Sequence, residues 1–280
     1  MTFPWRPWLW RILRIVGLAY LGLLLVLYFG QSRMIFFPNT QVVGTPADQG
    51  LTYEEVFFTA ADGTRLHAWY IPARDNHATL LFCHGNAGNI GNRLSYLPIF
   101  QRLGISTLLF DYRGYGQSAG QPSEPGTYQD AAAAWDYLTQ TRKIPADQIV
   151  IYGESLGGAI AAQLAEQKQS PAPRALVLAS TFISLNHRAS ELYPYMPIAL
   201  ISQFGYAVRD RLPQITAPVL VIHSIEDELI PYHHGQALFQ AARDPKKLIT
   251  LRGSHNEGVF DSLELYQTGL ADFLVPKGEA

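Results

Sequence analysis

The chain is short of cysteine, of charge and of repeats, and the shortages narrow what it can be. Cys83 is the single cysteine among 280 residues, so no intramolecular disulfide can staple the fold. It ends the apolar run TLLFC and reads as a buried small hydrophobe. Charged residues make up 16% of the chain and the formal net charge is −2, so there is no bulk positive field of the kind a nucleic-acid partner would draw on. No internal repeat or low-complexity tract is visible. The eight histidines are scattered, and no carboxylate–histidine spacing suggests a metal cluster. Against these shortages stands a hydrophobic content of 48%, which fits a globular core plus something greasier.

The greasier part is the N-terminus. MTFPWRPWLWRILRIVGLAYLGLLLVLYFGQSR carries Arg6, Arg11 and Arg14, then an uncharged apolar stretch from Ile15 to about Gly30. With Ile12 and Leu13 included and Arg14 snorkelling toward the headgroups, the stretch reaches the roughly 20 apolar residues that a spanning helix needs. Trp5, Trp8 and Trp10 stand where an interfacial aromatic belt belongs. A cleaved secretory signal is the rival, but the sequence around Tyr28, Phe29 and Gly30 has no convincing Ala-x-Ala site. Residues 1–33 are therefore expected to be an uncleaved membrane anchor. Three arginines precede the span and only Arg33 follows closely, which predicts a cytoplasmic N-terminus and a periplasmic, lumenal or extracellular globular part.

From residue 34 onward, strand-like runs recur: 53–59, 66–72, 79–84, 106–112, 148–153, 174–180, 218–224 and 246–252. The first pair flanks Asp62-Gly63, a hairpin signal. The later runs are continuously apolar, as buried parallel strands are. Helical patterns over 91–103, 127–141, 156–168, 232–242 and 257–274 separate these later strands. Alternation of this kind predicts an α/β fold, a mostly parallel sheet with helices on both faces. The segment 181–215 is long for a plain connection and rich in aromatics and proline. It is expected to be either a short helical lid or a ragged crossover helix.

A strand, then Gly153-Glu154-Ser155-Leu156-Gly157, then a helix of small residues is the arrangement of a nucleophile elbow. Side chains two residues either side of Ser155 would collide with the neighbouring strand and helix, so glycine fits there. A serine nucleophile needs a base, and the base an orienting acid. In such a sheet they follow in the order Ser, Asp or Glu, His. Asp227 lies just past the run PVLVIHS and His255 just past KKLITLR, both at the C-terminal ends of strands. Glu226 and Glu228 flank Asp227 as rivals that sequence does not exclude. His233 and His234, at a helix start, are expected on the surface, and His223 within its strand is expected to be buried. His67, His77 and His187 precede the acid and break the order.

The tetrahedral oxyanion needs donors. The backbone N–H of Leu156 is the first candidate. The N–H of Asn86, in the loop His84-Gly85-Asn86-Ala87-Gly88-Asn89, is the second, with His84 bracing that loop. The stretch DYRGYGQS over 111–118 reads as a glycine-rich turn held by an Asp111–Arg113 pair, with a substrate-facing loop as the alternative.

With HGNAGN (84–89), DYRGYGQS, GESLGG (153–158), IEDELIP around Asp227 and GSHNE around His255, the chain over roughly 34–275 resembles the alpha/beta-hydrolase superfamily. Within it, the likeness is to small, N-terminally anchored serine hydrolases of the Bem/ABHD type. The resemblance implies a sheet of eight strands with the second antiparallel, a catalytic domain over 34–280, no cofactor and no large cap. It also implies esterase, thioesterase or lysophospholipase-like activity on a small-molecule or lipid ester. A peptidase or amidase on the same triad is the nearest alternative, but such branches carry a propeller or a larger cap. A non-catalytic binding protein of this fold would typically have lost a triad member, and all three candidates are present.

Overall fold

The computed structural model describes residues 5–275, with side chains from Trp8 onward; the side chains of Trp5 and Arg6 lie outside the described residues. Helix α1 runs unbroken over Trp5–Ile35. Its only described proline, Pro7, sits in the first turn, where no intrahelical N–H is lost. The stretch Trp8–Ile35 is 28 residues long and contains an unburied apolar window with a mean hydropathy of 2.3, long and apolar enough to cross a membrane.

Past α1 the strands are β1 (Glu54–Thr59), β2 (Arg65–Ile71), β3 (Ala78–Cys83), β4 (Ile105–Phe110), β5 (Ile149–Glu154), β6 (Ala175–Ala179), β7 (Val219–Ser224) and β8 (Lys246–Leu251). They form one sheet of eight strands in the order β8-β7-β6-β5-β3-β4-β2-β1. All neighbours are parallel except at β2, which is antiparallel to both β1 and β4. Each expected strand is present to within a residue or two, because both faces of the central strands are buried and their apolar runs have no other use.

The helices are α2 (Leu97–Arg102), α3 (Glu124–Asp136), α4 (Leu156–Gln167), α5 (Leu185–Leu192), α6 (Ile198–Ile201), α7 (His233–Ala241), α8 (Gly258–Asp261) and α9 (Leu263–Leu274). The helical pattern over 91–103 divides into a 3₁₀ stretch, Ile90–Tyr96, and α2, which starts where Pro98 can occupy a first-turn position. Helix α3 begins three residues before its periodic pattern, where the Ser123 side chain caps Gly126 N–H at 3.2 Å.

Strand pleating divides the core in two. Leu81, Leu108, Ile151 and Leu178 pack on the side of α3, α4 and α7, whereas Phe82, Leu109, Tyr152 and Val177 pack on the side of α2 and α9. Each fully buried side chain of this size contributes on the order of 1.5–3 kcal/mol. Parallel register fixes the working edge. The C-terminal ends of β3, β5, β7 and β8 deliver His84, Ser155, the Asp227 loop and the His255 loop to one side of the sheet.

Between β6 and β7 the segment 181–215 carries α5, α6 and a 3₁₀ turn, Leu212–Gln214. It lies along α1: Tyr20 OH donates to Tyr195 O at 2.9 Å, Gln31 Nε2 to Ile201 O at 2.6 Å, and Gln203 Nε2 to Tyr28 O at 2.6 Å.

Candidate active site

Ser155 stands between the end of β5 and the first turn of α4, at φ 52° and ψ −119°. A positive φ is strained for a residue with a Cβ and persists only where the surroundings enforce it. The enforcement is visible on both sides. A Cβ on Gly153 would lie 2.5 Å from Gly157 O and from Gly158 Cα, and one on Gly157 would run into Cys83 O. A Cβ on Gly158 would strike Thr181, whose hydroxyl donates to Ser155 O. The small residues let α4 press on β3 and β5 with Ser155 at the apex.

His255 Nε2 is 3.2 Å from Ser155 Oγ, and His255 Nδ1 is 2.8 Å from Asp227 Oδ2. The carboxylate accepts, so Nδ1 carries the proton and Nε2 offers its lone pair to the serine hydroxyl. Asp227 is buried, which alone would raise its pKa. Hydrogen bonds from His223 and His255 and from Ile230 N–H outweigh burial and hold the carboxyl below its ordinary value. Its second oxygen accepts from Leu229 N–H at 3.0 Å and Ile230 N–H at 2.7 Å, which fixes its orientation. The flanking glutamates brace the partner loop instead: Glu228 accepts from His255 N–H at 3.0 Å and Glu226 from Gly253 N–H at 2.8 Å.

The loop after β3 closes the site. A Cβ on Gly85 would stand 3.5 Å from Ser155 Cβ, so this backbone passes beside the serine. Asn86 is clamped by its neighbours: its side chain donates to Ile35 O at 2.8 Å, and its carbonyl accepts from Phe37 N–H at 3.1 Å and Tyr115 OH at 2.8 Å. A two-residue parallel ladder, Phe37–Pro38 with Ala87–Gly88, ties the end of α1 to this loop. Leu156 opens α4 directly after the serine, at a helix N-terminus where developing negative charge is favoured. His84 is fully buried, and its Nδ1–H donates to Gly85 O at 2.7 Å. Burial, reinforced by the nearby Arg93 charge, pushes its pKa down to about 3, so it is neutral and braces the loop.

Several residues depart from expectation. Asp111 and Arg113 do not pair. Arg113 reaches Asp130 at 2.8 Å and Asp62 at 2.7 Å, because its side chain points across the turn to α3 and the β1–β2 hairpin. Asp111 turns inward, accepts from Ile90 N–H at 2.9 Å and faces His84 at 3.6 Å. His234 is buried, not a surface residue: its Nδ1 accepts from Ile183 N–H at 3.1 Å and its Nε2–H donates to Glu191 at 3.0 Å. The expectation of scattered histidines also fails. Folding brings α5 against the start of α7, and His187, Glu191 and His233 converge into a donor set able to hold a metal ion. The i,i+4 spacing of His187 and Glu191 was the sequence signal for it. His223, as expected, is buried, and its Nε2–H donates to Ile230 O at 2.7 Å.

Sequence reasoning also passes over Arg93. It pairs with Glu154, the residue before Ser155, at 2.7 Å and borders Gly85. No local motif marks this pair, since its partners are 61 positions apart.

Comparison with known proteins agrees with this fold. A family model described as the alpha/beta hydrolase fold matches residues 78–200. The chain is 34% identical over 253 residues to the alpha/beta hydrolase domain-containing protein WAV2 of Arabidopsis thaliana, covering 82% of each chain. It is 31% identical over 256 residues to protein bem46 of Schizosaccharomyces pombe, covering 85% of each. Among solved structures, an esterase of Pyrococcus furiosus superposes with a TM-score of 0.71 at 19% identity, covering 86% of this chain and 97% of that one, a likeness of fold.

Proposed function

This chain belongs to the alpha/beta-hydrolase family, and we propose that it is a membrane-anchored serine hydrolase of carboxylic esters, acting on acylated, lipid-like substrates through an acyl-enzyme. The observation that carries the reading is the relay from Ser155 Oγ to His255 Nε2 at 3.2 Å and from His255 Nδ1 to Asp227 at 2.8 Å, on a serine held at positive φ.

In this reading His255 takes the Ser155 proton as Oγ attacks the ester carbonyl, forming the C–O bond of a tetrahedral adduct. The N–H groups of Leu156 and Asn86 bind the oxyanion. Collapse expels the alcohol or thiol, which leaves with the proton from His255. Water then repeats the cycle, giving up its proton to His255 and releasing the carboxylic acid and free Ser155. Asp227 keeps Nδ1 protonated and stabilises the imidazolium.

Residues 1–33 are the anchor and 34–280 the catalytic domain in this proposal. The positive charge at Arg6, Arg11 and Arg14 keeps the N-terminus cytoplasmic and exports the domain. The esterase named among its structural neighbours supports ester over amide chemistry.

The test is labelling by a fluorophosphonate probe in membranes carrying wild type or Ser155→Ala. Labelling of wild type that vanishes in the variant is expected. Absence of labelling in folded wild type would contradict the reading.

A further inference from the structure

The segment after α5 has an odd composition for a surface. Between Glu191 and Arg209 there is no charged residue, although no residue from Leu192 to Gln203 is buried. Tyr195 is 90% exposed and Leu200 84%, with Leu192 and Tyr193 about half exposed. Apolar residues this exposed and this contiguous mark a contact surface.

Much of its polar backbone is paired. The N–H groups of Met196, Ile198, Leu200, Ile201 and Ser202 donate within the segment, and that of Tyr193 donates to Ala189 O of α5. Pro194 and Pro197 carry no N–H. The carbonyls of Tyr195 and Ile201 accept from Tyr20 and Gln31 of α1, and Gln203 bonds both Gln31 and Tyr28 O. Each such bond lowers the cost of entering hydrocarbon, where an unpaired backbone group costs several kcal/mol.

Position along α1 gives the depth. Arg14 and Arg33 bound its uncharged stretch, which at a rise of 1.5 Å per residue is about 27 Å long, close to the thickness of a hydrocarbon core. Tyr20, Tyr28 and Gln31 all fall inside it. A segment bonded to these residues therefore lies at membrane depth wherever α1 spans.

Between α1 and the segment is a cavity of about 370 Å³, within the usual range of small-molecule sites. Leu23, Leu27 and Met34 form its α1 wall, and Leu185, Ala189 and Leu192 the facing one. Asn186 also lines that wall, and its Oδ1 is buried with no hydrogen-bond partner among the described residues. Ile35 also borders the cavity, and its carbonyl accepts from the side chain of Asn86. Ile35 thus stands between the cavity and the loop beside Ser155.

We propose that residues 192–204 enter the bilayer beside α1, and that the cavity between them seats the acyl chain of a membrane lipid. The chain enters laterally from the hydrocarbon. Delivery of that lipid to Ser155 rests on the hydrolase reading; insertion and chain binding do not.

The experiment uses full-length protein in phosphatidylcholine vesicles, both as wild type and as Ser155→Ala. Cys83 is fully buried, so a cysteine introduced as Tyr195→Cys or Asp210→Cys takes a fluorescent label selectively. The label at 195 is expected to be quenched at least threefold more by acyl-chain spin-labelled lipid than the label at 210. Equal quenching overturns insertion. For the cavity, the vesicles carry a lysophosphatidylcholine with a photoactivatable acyl chain. Crosslinks to residues 185–192 are expected, and Ala189→Trp should reduce them at least fivefold while leaving labelling at 195 quenched. Unchanged crosslinking in that variant overturns the cavity assignment. Neither readout requires turnover, so fluorophosphonate labelling of Ser155 reports separately on the hydrolase reading.

Discussion

Among the described carboxylates that gather two or more imidazoles, Asp111, Asp227 and Glu191, only Asp227 leads through its histidine to a serine. Asp227 has His255 at 2.8 Å and His223 at 3.4 Å; Glu191 has His233 at 2.8 Å, His234 at 3.0 Å and His187 at 3.3 Å. By imidazole count Glu191 is the richer site. The difference lies in burial and in the third partner. Asp227 has no exposed side-chain surface and two backbone N–H groups fixing it, and its histidine ends on Ser155 at the elbow. Glu191 is partly exposed, and two of its histidines are about half exposed. A carboxylate–imidazole pair is common; a pair held rigid and aimed at a strained serine is what acyl transfer uses.

The comparison breaks if the two carboxylates behave alike. Asp227→Asn removes the group that holds His255 in its working tautomer, and should lower kcat on a p-nitrophenyl ester by about 10⁴-fold. Glu191→Gln should leave kcat within about twofold, and a large loss there would mean that the wrong carboxylate has been chosen. Next in size is the Arg93–Glu154 pair under the elbow. Arg93→Ala strands a mostly buried carboxylate and should cost about 3 kcal/mol, a fall in Tm of roughly 6–12 °C by thermal melting in detergent. A Tm within about 2 °C of wild type would show that the pair does not hold the elbow. Glu228→Ala removes the acceptor for His255 N–H; at about 1 kcal/mol it should lower kcat roughly fivefold, and an unchanged kcat would free the histidine loop from that contact.

The smallest expected effect concerns Glu191 itself. Hydrogen bonds from His234, His233 and Arg188 outweigh its partial burial and hold its pKa down at about 2 against an ordinary 4.5. A depressed carboxylate contributes stability that is complete above its unfolded pKa and is lost as pH falls through the folded one. The Tm difference between wild type and Glu191→Gln should therefore be about 2 °C or less, widest above pH about 5, and should close toward pH about 2. A gap that widens on acidification would reverse the assignment.

What was legible in the sequence follows the range of the interactions involved. The eight strands and the elbow are local: continuous apolar runs, and glycines at fixed offsets from Ser155. Asp227 and His255 were legible because each follows a strand, and a parallel sheet brings those ends together. The Arg113 partners, the Glu191 cluster and the clamp of Asn86 by Ile35 were not. Each depends on side chains from separate elements meeting across tens of residues, and only the i,i+4 spacing of His187 and Glu191 left a local trace. The alignment of 181–215 with α1 belongs to the same class. Its uncharged composition was readable, but the helix it lies against was not.

The most direct test of the account is the second-order rate of fluorophosphonate labelling at Ser155, measured on wild type, Asp227→Asn and Glu191→Gln in the same membranes. The account predicts rapid labelling of wild type and Glu191→Gln, with Asp227→Asn slower by at least about 10²-fold. Equal rates for wild type and Asp227→Asn would contradict it, because Ser155 would then owe nothing to the relay through His255.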